Sequence, residues 1–156
     1  MKLNEAIQRA EENENVQRLD GYFLSSTFVC IAEKENITNW TLLYYNPYTN
    51  TVVDCFVNEA LVTVGEETPA LNEQEELRIK DVKIAASKAL ADARKKFKKS
   101  AVNVLISLHR KQFAEKKCLV WTIAFITQDM KATSFDIDAA TGTMLKEETI
   151  SLVKKM

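Results

Sequence analysis

The stretch Phe135-Asp-Ile-Asp-Ala-Ala-Thr-Gly-Thr-Met144 sets two carboxylates, Asp136 and Asp138, two residues apart and just ahead of a Thr-Gly pair. On a regular strand both project to one side. Such a pair can share a proton or hold a cation. A calcium loop needs several more oxygen ligands close by, and Ala139-Ala140 offers no side-chain oxygen. Phe135 and Ile137 alternate with the acids and read as core. Asp138 stands where an Asx side chain bonds the backbone two residues on and starts a turn, Thr141 can support that turn, and Gly142 accepts positive φ. The string therefore reads as a corner between two strands, with Asp138, Thr141 and Gly142 shaping it.

His109 is the single histidine. A nucleophile–base pair would need it beside Cys30, Cys55, Cys118 or a serine, and no local signature places it there. It reads as an exposed strand end on the face opposite Val102, Val104, Ile106 and Leu108. The three cysteines are an odd number, far apart, each in an apolar run, so they read as buried free thiols rather than a disulfide framework or a zinc pair. No Gly-rich phosphate loop, HExxH or metal-ligand spacing is present. The expectation is a protein with no catalytic residues, no metal and no cofactor.

Arg94, Lys95, Lys96, Lys98 and Lys99 surround Phe97 at a helix end. They could contact an anionic partner. They equally compensate the helix dipole, because cations at a C-terminus are favourable. The net charge of −1 conceals 5 basic against 14 acidic side chains in residues 1–78, which is −9, and 16 against 8 in residues 79–156, which is +8. The halves complement one another within a monomer or across a homodimer, or present a basic surface to an acidic partner. Tyr44, Tyr45 and Tyr48 around Pro47 divide between an exposed aromatic patch and core.

The elements that must position these groups follow from periodicity. Residues 3–17 read as a helix with Leu3, Ala6, Ile7 and Ala10 on one stripe. Strands follow at Tyr22–Ala32, Trp40–Tyr45 and Thr51–Val57, the last extending toward Val64. Gly65-Glu-Glu-Thr-Pro69 is the best break. Asn72 and Glu75 match a capping box, and a helix lies within 73–98, clearest over 79–97. Strands at Ala101–His109, Cys118–Thr127, Ala132–Asp138 and Thr143–Leu152 complete the chain, and a basic tail follows. Cys118–Thr127 is apolar on both faces, as a central strand would be. The organisation is two α+β repeats, 1–68 and 69–156, with the corner Asn46-Pro-Tyr-Thr-Asn50 set against Asp138-Ala-Ala-Thr-Gly142. Asn46 matches Asp138, Thr49 matches Thr141, Asn50 matches Gly142.

The helix, the strand carrying Trp121-Thr-Ile123 and the string Asp138-Ala-Ala-Thr-Gly-Thr-Met-Leu145 together resemble the PepSY domain over about residues 79–150, with residues 3–57 as a degenerate first copy. The resemblance implies a cystatin-like α+β fold and a binding or inhibitory module of a kind often attached to peptidases or found in the cell envelope. The function expected is a non-catalytic protein-binding or regulatory module. The alternative is anion or nucleic-acid binding through residues 94–99 and 110–117. No run is long and apolar enough to span a bilayer. The polar start, Met1-Lys2-Leu3-Asn4-Glu5, and the free thiols point to the cytoplasm; the family resemblance also allows the envelope, had a signal been removed.

Overall fold

A computed structural model describes residues 1–153. The basic tail expected after Leu152 lies, from Lys154 on, outside the described residues. The described residues form an α+β protein, a nine-stranded antiparallel sheet with few helices. It divides into two compact units, Met1–Val29 with Ile37–Ile79, and Cys30–Asn36 with the chain from Lys80 onward. The division falls later than the Gly65–Pro69 break. The reason is Leu77, which is buried and donates its N–H to Leu24 O at 2.7 Å. Nearby, Ser25 bonds Gln74 Oε1 at 2.5 Å. Residues 73–78 are thereby held without helix, and the capping box at Asn72 and Glu75 does not form.

In the first unit, α1 (Leu3–Glu11) buries Leu3, Ala6, Ile7 and Ala10. The helix expected to reach residue 17 stops early, and a single turn, α2 (Glu14–Gln17), restarts at Asn13, whose side chain accepts from Asn15 N at 2.9 Å. Strands β1 (Phe23–Ala32), β2 (Asn39–Asn46) and β3 (Thr51–Asn58) form a meander. The run toward Val64 is not one strand: Asn58 Oδ1 accepts from Ala60 N and Leu61 N, both at 2.8 Å, and β4 (Val62–Val64) folds back on β3. The two-residue β5 (Thr68–Pro69) also pairs with β3. Trp40, Leu42, Cys55 and Val57 are fully buried.

In the second unit, a 3-10 turn (Ile79–Asp81) precedes α3 (Ala86–Lys96), shorter than the 79–97 expected. Strands β6 (Asn103–Phe113), β7 (Lys116–Ile126), β8 (Lys131–Asp138) and β9 (Met144–Ser151) pair in sequence, all antiparallel. Strand β7 is central to this meander, flanked by β6 and β8. The last residues of β1 belong to this unit and border β6, and Glu33 N donates to Val102 O at 3.1 Å. The face of β7 that carries Leu119, Trp121, Ile123 and Phe125 is buried, as are Ala89, Leu90 and Ala93 of α3. Phe97, just past the helix, stacks on Phe125 with centroids 4.5 Å apart.

Alanine at 89 and 93 lets α3 approach the sheet closely, and interiors at crystal-like density have no room for added methylenes. Ala93→Leu is expected to cost about 1–3 kcal/mol, read as a lower urea midpoint at unchanged m-value.

Candidate functional site

A buried polar cluster lies in the second unit, on the sheet face opposite Trp121 and Phe135. In register, Ser107 stands opposite Thr122, and Thr122 opposite Asp136. Asp136 is only 3% exposed. A buried carboxylate must be paired and hydrogen-bonded, and this one is: Thr122 Oγ1 donates to Oδ1 at 2.6 Å and Lys111 Nζ to Oδ2 at 2.8 Å. The Lys111 ammonium also lies 5.8 Å from the Phe113 ring centroid.

His109 belongs to this group, which corrects the expectation of an exposed strand end. Strand β6 continues four residues past it, so His109 sits half-buried within the strand. Burial lowers its pKa below the usual value, the Lys111 charge lowers it further, and Asp136 opposes both. His109 faces Val120 and Lys111 faces Cys118, so imidazole and thiol share a sheet face as diagonal neighbours. No hydrogen bond joins them among the described residues. Cys55 is buried, its thiol pushed up to about 11 by burial and then by Asp54. Cys30 is exposed and Cys118 half-exposed, so burial holds for one thiol of three.

The two corners are built from the same bonds. Asn46 Oδ1 accepts from Tyr48 N (2.9 Å) and Thr49 N (3.4 Å). Asp138 Oδ1 accepts from Ala140 N (2.8 Å) and Thr141 N (3.1 Å). Thr49 and Thr51 hydroxyls meet at 2.6 Å, those of Thr141 and Thr143 at 2.9 Å. Asn50 takes φ 53° and Gly142 φ 82°. Asp138 therefore spends its carboxylate on backbone amides while Asp136 spends its own on Lys111 and Thr122. The corners occupy different places along their meanders: β2 to β3 in the first unit, β8 to β9 in the second. Tyr44 and Tyr45 are core, whereas Tyr48 is 89% exposed.

Of the basic run, Arg94, Lys95 and Lys96 lie on the last turn of α3, while Lys98 and Lys99 follow it. Arg94 Nη2 is 3.4 Å from Glu33 Oε1, an ion pair by distance without hydrogen-bond alignment. Lys95, Lys96, Lys98 and Lys99 are exposed. The burial of Asp136 and its reach to Lys111 were missed from sequence; the signal available was a strand long enough to bring Lys111 onto the face of Thr122.

No family model matches the chain, and no curated protein matches it. Among solved structures it is similar to a candidate lipoprotein from Clostridium difficile 630, with a TM-score of 0.61 and 15% identity, over 96% of this chain and 93% of that one. At that identity the likeness shows the fold alone.

Two outcomes are expected. Lys111→Met strands a buried carboxylate and should destabilise by about 1–3 kcal/mol, discounted for the partial exposure of the lysine; adding Asp136→Asn should recover part of the loss in a denaturant titration. For His109 the folded pKa lies below the unfolded one, so the unfolded chain binds more protons between the two values. Stability should hold above the ordinary histidine pKa of about 6.5, fall as pH drops toward the folded pKa, and level off below it. His109→Gln should flatten that segment of the melting-temperature profile.

Proposed function

We propose that the chain is a non-catalytic protein-binding or regulatory module of PepSY-like type, made of two cystatin-like units of which the first is degenerate. The observation that carries this reading is an apolar row on the first unit's sheet. Phe28 of β1 stands opposite Thr41 of β2, and Thr41 opposite Phe56 of β3. The two rings are 40% and 37% exposed, on the face away from buried Trp40, Leu42 and Val57. Large aromatic side chains left exposed together on a sheet face offer the desolvation and rigid contact area that protein interfaces use. The order of a helix followed by an antiparallel meander, found in each unit, supports the repeat. The self-contained bonding of Asp136 and Asp138 gives those acids a role that needs no substrate. In its inhibitory form, this reading requires that a panel of peptidases lose activity at micromolar protein.

A second reading has its own support in the four exposed lysines 95, 96, 98 and 99 at the end of α3, and in the separate basic hairpin of residues 110–117. They would hold an anion or nucleic acid through phosphate contacts.

Phe28→Ser/Phe56→Ser should leave the far-ultraviolet circular dichroism unchanged and abolish the retention of a defined partner from the source cell's extract. Retention of the same set by both forms would contradict the first reading. Nucleic-acid binding that weakens steeply with salt and disappears in Lys95→Glu/Lys96→Glu would favour the second, and absence of binding at low salt would remove it.

A further inference from the structure

Among the described residues, two large apolar side chains are far more exposed than any other: Leu71 at 97% and Tyr48 at 89%, with Val153 next at 57%. A single exposed apolar residue is ordinary. These two stand at one end of the first unit. Tyr48 is on the corner between β2 and β3. Thr51, just past that corner, pairs with Pro69 of β5, and Ala70 N–H donates to Asn50 O at 2.9 Å. Leu71 is therefore one residue from a direct bond to the corner. Pro47 and Pro69 are exposed there too.

The corner does not need its tyrosine. The corner at 138–142 makes the same two Asx bonds with Ala140 where this one has Tyr48. The backbone beneath Tyr48 is nonetheless held firmly. Pro47 fixes its own φ, Tyr45 Oη donates to Asn50 Oδ1 at 2.8 Å, and Tyr22 Oη meets Thr51 Oγ1 at 2.8 Å. A tyrosine on such a base has only its side-chain torsions left to fix, so it loses little freedom when a partner grips it.

The surroundings carry one sign of charge. Residues 35–77 hold eight Asp and Glu and no Lys, Arg or His. Glu66 and Glu67 lead directly into β5, and Glu73 follows Leu71 by two residues. Asp20 O accepts from Asn46 Nδ2 at 3.4 Å. All four acids are exposed. Along the chain, the cations nearest these segments are Arg18 and Arg78. Such a field repels phosphate, whether of nucleic acid or of anionic lipid, and favours a partner with cations around the contact.

We propose that Tyr48 and Leu71 anchor a second interaction surface, whose partner is a basic polypeptide. Apolar residues of that partner take up the two side chains, and its Lys and Arg meet Glu66, Glu67 and Glu73. The proposal shares the protein-binding reading but not its Phe28–Phe56 surface, so each can fail without the other.

Panning a random peptide library on the immobilised full chain, followed by anisotropy titration of a selected peptide, tests this. Selected peptides should combine aromatic or aliphatic residues with several Lys or Arg. Tyr48→Ser/Leu71→Ser should keep its circular dichroism, since both side chains are exposed, and should bind the peptide about tenfold or more weakly. Glu66→Lys/Glu67→Lys should weaken it as well, and so should rising salt. Phe28→Ser/Phe56→Ser should bind it like wild type. Selection of no peptide, of peptides without an excess of basic residues, or of peptides that Tyr48→Ser/Leu71→Ser binds unchanged would overturn the inference. Peptides lost only in Phe28→Ser/Phe56→Ser would overturn it and leave the other surface standing. A wild-type dimer that becomes monomeric in Tyr48→Ser/Leu71→Ser would overturn it in favour of a second copy. Binding to neutral phosphatidylcholine vesicles that the same variant loses would overturn it in favour of a membrane.

Discussion

A buried tryptophan has one donor that cannot go unpaired, because an orphaned N–H away from water costs a kilocalorie or more, about 1–3 kcal/mol. In each unit this need is met at the approach to a helix. Trp40 Nε1 donates to Met1 O at 3.1 Å, two residues ahead of α1. Trp121 Nε1 donates to Ile84 O at 2.9 Å, two residues ahead of α3. Each indole thus ties the second strand of its meander to the backbone from which the helix starts. The helices then lie where alanine faces, Ala6 and Ala10 in one and Ala89 and Ala93 in the other, can be fully buried. Burial of the remaining apolar side chains is arranged around these two ties. Ile84 also packs near the corner: its Cδ1 lies 3.4 Å from where a Cβ would stand on Gly142, an ordinary contact, so it is the positive φ of 82° rather than lack of space that favours glycine there.

The residues that suggested chemistry are bonded inside the fold. Asp138 is an Asx corner with the same two amide bonds that neutral Asn46 makes, and the loss of the charge in one corner without loss of the bonds shows that charge is not what the turn needs. Asp136 is different in kind. It is a buried carboxylate with a half-exposed lysine partner, an arrangement that gives weak net stability but is costly to break. It also fixes the ends of β6 and β8 across β7 through Lys111 and Thr122. His109, next to that pair, carries the charge change nearest to physiological pH in this part of the sheet.

Much of the fold was legible in the alternation of side chains. The strand around Val104–Leu108 declared which face was core, and the corner chemistry at Asn46 and Asp138 could be read from residue types alone. What could not be read was set by distant contacts. The helix proposed from Asn72 yielded to the docking of Leu77 on β1 and to Gln74 on Ser25, neither of which has a local signal. Strand β6 ran past His109 because its partner residues Lys116–Val120 continue the ladder, which moved the histidine from an end to a half-buried interior position. Cys30 sits in an apolar run yet is exposed, because alternation within β1 gives its even-numbered neighbours to the outer face. The candidate site suffered most from this: Lys111 and Asp136 are 25 residues apart, and only strand register brings them together.

The central claim is that each buried indole is held by the carbonyl ahead of its helix, and hydrogen exchange at the two indole N–H groups tests it most directly. The account predicts that Trp40 and Trp121 Nε1–H both exchange at the rate set by cooperative unfolding, with protection like that of the slowest strand amides. Exchange of either indole on the timescale of the exposed Tyr48 loop would contradict it.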